Sequence, residues 1–124
     1  MNDYEILSHR RTGGSTNPKI QVTATADGPD ESCGNYAIVV DGDITNVANL
    51  AIKFHTGPPA EGVNGVTDEA LLAVLIDRID RWQAGRFACM ENHHTLLALR
   101  EAMGHMGSRT FNRTDRGVEG TQTP

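Results

Sequence analysis

Aromatic rings, cysteines and long apolar runs are scarce in this chain of 124 residues, and each scarcity removes a class of protein. With aromatics at 5% and apolar residues at 38%, one lean core is the most the chain can bury. Two cysteines, Cys33 and Cys89, are too few for a disulfide framework, so both are expected as free thiols in a reducing cytoplasm. No apolar stretch approaches the roughly 20 residues of a membrane span. The opening Met1-Asn2-Asp3-Tyr4 lacks the basic start and apolar run of a secretory signal. A formal net charge of −5 argues against broad binding to a nucleic acid polymer, which needs a basic surface.

Catalytic signatures are also missing. There is no Gly-x-x-x-x-Gly-Lys phosphate loop, no supportable Ser-His-Asp arrangement and no obvious carboxylate dyad. Cys89 and His93 stand i, i+4 on a predicted helix, with His94 adjacent, but no second ligand cluster accompanies them, so no metal is expected. His93-His94-Thr95 supplies one His-x-Thr motif where the phosphoesterases built on paired histidines need two. The expectation is binding without chemistry: no catalytic residues and no cofactor.

What is present falls into two periods. Lys19 to Ala26 alternates apolar and polar residues and reads as a strand, followed by a turn region from Asp27 to Asn35. Tyr36–Val40 and Leu50–His55 read as two more strands. Thr56–Val66 carries Gly-Pro-Pro and Gly-Val-Asn-Gly and reads as a connecting loop. Thr67 then opens a helix as its N-cap, with Asp68 and Glu69 in the first turn and an apolar stripe of Leu71, Leu72, Leu75, Ile79 and Trp82. Gly85 closes it, and a second helix is expected from about Cys89 to Asp115. Its seam is Asn92, Leu96, Leu99, Met103, Met106, Thr110 and Arg113, at alternating steps of four and three. Gly104 and Gly107 lie within it, at a cost of about 1 kcal/mol each relative to Ala. They read either as sites of close approach by another helix or as locally tolerated. The fold class is α+β: a small N-terminal antiparallel sheet, then a C-terminal helical hairpin. The expected organisation is one domain over 1–124, with a flexible arm at 1–17, the sheet part at 18–56, the hairpin at 67–115 and a tail or lid at 116–124.

The most informative stretch is Arg109-Thr110-Phe111-Asn112-Arg113-Thr114-Asp115-Arg116, followed by Gly117-Val118-Glu119-Gly120-Thr121. Steps of four and three put the three arginines on one helical face. The last 47 residues hold seven Arg and no Lys, and guanidinium is favoured where phosphate or carboxylate is gripped bidentately. Cations near a helix C-terminus also interact well with the helix dipole and need no ligand. Both readings stand on spacing alone.

Arg109 lies 17 residues beyond Asn92, about 25 Å along one helix, so one small ligand cannot touch both ends of a protomer. A hairpin and a three-stranded sheet bury little by themselves, which points to a homodimer. If two hairpins pack antiparallel, the arginine end of one meets the Trp82–Asn92 end of the other. That set suits a nucleotide: the base stacks on the Trp82 ring, the Asn92 amide reads its edge, and the arginines hold phosphate. Trp82 also reads as core filler on its stripe, and Asn92 as a polar residue that sets the seam's register. Gly117 and Gly120 supply hinges if the tail is a lid; Gly117 is equally an ordinary helix stop.

Gly62-Val63-Asn64-Gly65-Val66-Thr67, Leu71 to Arg78, Gly85-Arg86-Phe87-Ala88-Cys89-Met90-Glu91-Asn92 and Arg109 to Thr121 resemble the phage anti-Thoeris sponges, the Thoeris anti-defence protein family. The likeness covers most of residues 48 to 121. The hairpin alone also looks like that of the anti-CBASS sponges. The resemblance implies a phage immune-evasion protein in the host bacterial cytoplasm. It would bind and sequester, without degrading, a cyclic ADP-ribose isomer (glycocyclic ADP-ribose) made by TIR-domain enzymes. It also implies dimers with composite sites; some members form hexamers that hold cyclic di- or trinucleotides at separate sites. By position, Arg109 and Arg113 would grip phosphates and ribose hydroxyls, Asn92 would bond the adenine, Trp82 would stack on it where the family often has Phe, and Arg116 with the tail would close over it. The competing expectations are a cyclic-nucleotide phosphodiesterase with His93 or His94 as base, and a protein-binding inhibitor whose arginines meet acidic side chains.

Overall fold

A computed structural model describes residues 2–12, 14–26, 34–121 and 123–124. The chain separates into two compact units, residues 1–56 and residues 57–124.

The first unit is a four-stranded antiparallel sheet in the order β1 (Asn2–Ile6), β2 (Ile20–Ala26), β3 (Asn35–Val40), β4 (Leu50–Lys53). Three strands were expected, and the fourth is a correction: residues 2–6, expected within a flexible arm, pair with β2 along an edge. Residues 8–12 of the same arm form a short 3-10 turn, and a second, at 17–19, straddles the arm's expected end. The physical reason is alternation. Tyr4 and Ile6 fall on one face and Asp3 and Glu5 on the other, so the segment is polar in composition yet amphipathic as a strand. The register aligns Tyr4, Ala24, Tyr36 and Ile52 in one row, and Ala24, the small residue between two tyrosines, is fully buried. The Tyr36 ring meets Phe54 edge to face at 5.7 Å. Part of the expected turn region, residues 27–33 with Cys33, lies outside the described residues, as does Gly13.

Between β3 and β4, Asp41 and Gly42 both take positive φ (54° and 70°), and Asp43 donates its N–H back to the Val40 carbonyl at 3.1 Å. Asp-Gly suits such a turn because both central residues must be left-handed. Asp43 then accepts from the backbone N–H and hydroxyl of Thr45 at 2.9 and 2.7 Å, which hold its carboxyl below the ordinary carboxylate range. Asn49 ties the loop shut, accepting from Val40 N–H at 2.8 Å and donating to Asp43 O at 2.8 Å.

The second unit is a helical hairpin of α1 (Asp68–Gln83) and α2 (Met90–Asp115). Thr67 caps α1 as expected, its hydroxyl accepting from Ala70 N–H at 3.1 Å. The helices run antiparallel, as three ties along their length show. Gln83 Oε1 accepts from Cys89 N–H near the link, the Arg100 guanidinium grips both Asp80 oxygens at 2.9 Å, and the Thr110 hydroxyl donates to Glu69 at 3.0 Å. All seven expected seam positions of α2 are at least partly covered, with Leu96 the most buried at 5% exposure. The stripe expected on α1 is rotated in part. Ile76 joins Leu71, Leu72 and Ile79 among the half-buried residues, while Leu75 and Trp82 are exposed at 46% and 39%. One facing helix covers only a narrow strip, so the flank of a wide apolar stripe stays in solvent.

Candidate functional site

The antiparallel hairpin divides the expected site residues between its two ends. Trp82 closes α1 and Asn92 lies in the first turn of α2, so both stand beside the link at 84–89. Arg109 and Arg113 lie in the last two turns of α2, and Arg116 is its C-cap, at the opposite end. A single chain therefore brings the three arginines together and the indole and amide together, but not the two groups with each other.

At the link end, the Arg78 guanidinium sits 4.4 Å from the centroid of the Trp82 ring, one helical turn away. This cation–π contact covers part of one indole face. The i, i+4 spacing carried the signal, although the sequence reading passed over Arg78. Asn92 donates through Nδ2 to the Phe87 carbonyl at 3.0 Å, which ties the link to α2 and leaves its Oδ1 uncommitted among the described residues. Arg86 stacks over Phe87 at 5.0 Å.

The arginine end contains two kinds of guanidinium. Arg109 is exposed and makes no hydrogen bond or ion pair among the described residues. Arg113 is half-buried and donates to three backbone carbonyls of the tail: Thr123 at 2.7 Å, Thr121 at 2.9 Å and Val118 at 3.0 Å. Arg116 donates to Asn112 Oδ1 at 2.9 Å and to the Pro124 carbonyl at 2.8 Å. The helix ends in a Schellman turn: Gly117 takes φ 71°, Val118 N–H reaches Arg113 O, and Gly117 N–H reaches Thr114 O, both at 3.0 Å. The tail then folds back as a hook. Sequence spacing placed Arg113 at the right end of the helix but could not reveal its acceptors, because backbone carbonyls belong to every residue type alike.

His93 and His94 lie with their rings 5.7 Å apart on the exposed side of α2, and Cys89 is an exposed free thiol. Among the described residues, no group of three His, Cys, Asp or Glu side chains is disposed to hold a metal ion. Among the described residues, no helix is long and apolar enough to cross a membrane.

No family model matches the chain. Thoeris anti-defense 1 of Bacillus phage SBSphiJ7 is 42% identical to it over 71 residues, a segment that makes up 56% of this chain and 50% of the phage protein. The chain thus spans about half the length of the curated relative it matches.

Proposed function

We propose that the chain belongs to the Thoeris anti-defence family over the segment it shares with that phage protein, and that it is a phage immune-evasion protein that counters Thoeris defence by sequestration. Its ligand is a cyclic ADP-ribose isomer, glycocyclic ADP-ribose, made by TIR-domain enzymes. The protein binds this ligand in the cytoplasm of the infected host and releases it intact. The observation that carries the reading is the identity to a protein named for anti-defence. The chemistry of the hairpin supports it: a half-open indole and a free amide oxygen at one end, and clustered guanidiniums at the other.

The working unit is a homodimer with the hairpins antiparallel. The Trp82–Asn92 end of one protomer then meets Arg109, Arg113 and Arg116 of its twin, forming two equivalent pockets. Assembly into hexamers, with cyclic di- or trinucleotides at separate sites, follows from the family resemblance alone. A sponge must hold its signal below the signal's working concentration, and a nanomolar Kd corresponds to about −12 kcal/mol. Base stacking supplies about 1–3 kcal/mol and each charge-assisted hydrogen bond about 1.5–3 kcal/mol. A pocket enclosed by two protomers can reach that total; one exposed arginine cannot.

Calorimetry with glycocyclic ADP-ribose tests the reading, with the assembly followed by native mass spectrometry. We expect saturable binding by a dimer. Arg109→Ala and Trp82→Ala should each weaken it by about tenfold or more while the dimer survives. Unchanged affinity in either variant removes that residue from the pocket. No heat with any cyclic ADP-ribose isomer would point instead to a protein-binding inhibitor.

A further inference from the structure

The hook after α2 is a built feature. Gly120 takes φ 76°, and a Cβ placed on it would collide with the backbone of Gly57 and Pro58, so only glycine fits. Thr121 closes the hook onto Val118, donating both its backbone N–H (3.0 Å) and its hydroxyl (2.6 Å) to that carbonyl. Thr123 N–H then bonds the Thr121 hydroxyl at 3.3 Å. Three of the hook's carbonyls converge on Arg113, and that of Pro124 goes to Arg116.

A guanidinium has five N–H donors and two edges that can grip a phosphate through paired bonds, Nη1 with Nη2 and Nε with Nη2. Both edges need an Nη2 hydrogen. In Arg113, Nη2 donates to Val118 O and to Thr121 O, while Nη1 donates to Thr123 O. Neither edge is open. Arg109, one turn earlier, has no such partners among the described residues.

We propose that the tail is an intramolecular competitor for Arg113: its three carbonyls stand in for phosphate oxygens, and the hook must release Arg113 before that side chain can clamp a pyrophosphate-bearing ligand bidentately. The inference rests on the sponge reading for the identity of the ligand. Arg109 makes first contact, and Arg113 engages as the hook lets go. A hook closed for about nine-tenths of the time lowers the apparent affinity about tenfold.

The test is Gly120→Val, a β-branched residue where neither the backbone conformation nor the space admits a side chain. Hydrogen exchange across residues 118–124 should quicken, and calorimetry with inorganic pyrophosphate and with glycocyclic ADP-ribose should show binding tightened about tenfold over the unmodified protein. In the unmodified protein, saturating glycocyclic ADP-ribose should likewise quicken exchange in the tail. Slower exchange on binding would overturn the competition, because the hook would then be closing with the ligand. Unmodified protein that binds, with no gain in an opened Gly120→Val, overturns the competition and leaves the sponge standing. Absence of heat from both proteins overturns the two together.

Discussion

The sheet and the hairpin distribute their arginines differently: Arg10 and Arg11 share one short 3-10 turn, whereas the hairpin gathers Arg109, Arg113 and Arg116 at one helix end. In the sheet unit, Arg10 is spent internally, paired with Glu5 at 3.2 Å and donating to the Ile20 carbonyl at 3.3 Å. In the hairpin, Arg100 grips Asp80 and Arg113 holds the tail, yet Arg109 stands exposed with no partner among the described residues. Arg109, without a partner among the described residues, beside Arg113, held by backbone carbonyls, is what the proposed anion site requires. Among the described residues, each unit has one buried apolar residue, Ala24 in the sheet and Leu96 in the hairpin. Both are lean, so the contrast between them lies in where their arginines gather.

The chain's single Trp, Trp82, lies in the hairpin, and both its tyrosines, Tyr4 and Tyr36, lie in the sheet, so fluorescence reads the units separately. The largest expected effect is Leu96→Ala, which removes the hairpin's best-covered side chain and should cost about 2–3 kcal/mol in the Trp82 transition on denaturation. A loss below about half a kilocalorie would mean that the seam is not where the hairpin's stability resides. Next comes Ala24→Leu, which forces a larger side chain between two tyrosines and should cost about 1–3 kcal/mol in the tyrosine signal. An unchanged transition would show that the Tyr4–Ala24–Tyr36 row is loosely packed. Thr67→Ala removes the cap of α1 and should cost about 1 kcal/mol. Arg109→Ala should leave the Trp82 transition within about 0.5 kcal/mol of the unmodified protein. A greater loss would make Arg109 a structural tie and erase the distinction drawn above. The smallest effect concerns Asp43. Its carboxyl is held low by the Thr45 hydroxyl and N–H, so its contribution is present above the ordinary carboxylate range and is lost as pH falls through the lowered value. Asp43→Asn should flatten that acid-side dependence in the tyrosine signal, and an unchanged slope would assign it elsewhere.

Much of the hairpin was legible because helical geometry is strict. Steps of four and three picked out the covered face of α2 from Asn92 to Arg113, and Thr67 announced the start of α1. The α1 stripe was read too broadly: Leu75 and Trp82 are apolar yet lie beyond the strip that one facing helix can cover. In the sheet, the polar composition of Asn2–Ile6 hid a strand whose amphipathicity shows only at period two. The grouping of Arg109, Arg113 and Arg116 at one helix end follows directly from their spacing. The hold of the tail on Arg113 does not, because its acceptors are main-chain carbonyls and its steric lock is a glycine among 13. The proposed meeting of arginine and indole would be a property of two chains, and no spacing within one helix could encode it.

The central claim, capture without cleavage, is tested most directly by loading the protein with glycocyclic ADP-ribose, removing unbound ligand, denaturing the complex and analysing the small molecule set free. The account predicts intact cyclic ligand in proportion to protein. A linear product would make the protein an enzyme and turn attention to His93 and His94, and recovery of no nucleotide at all would contradict capture itself.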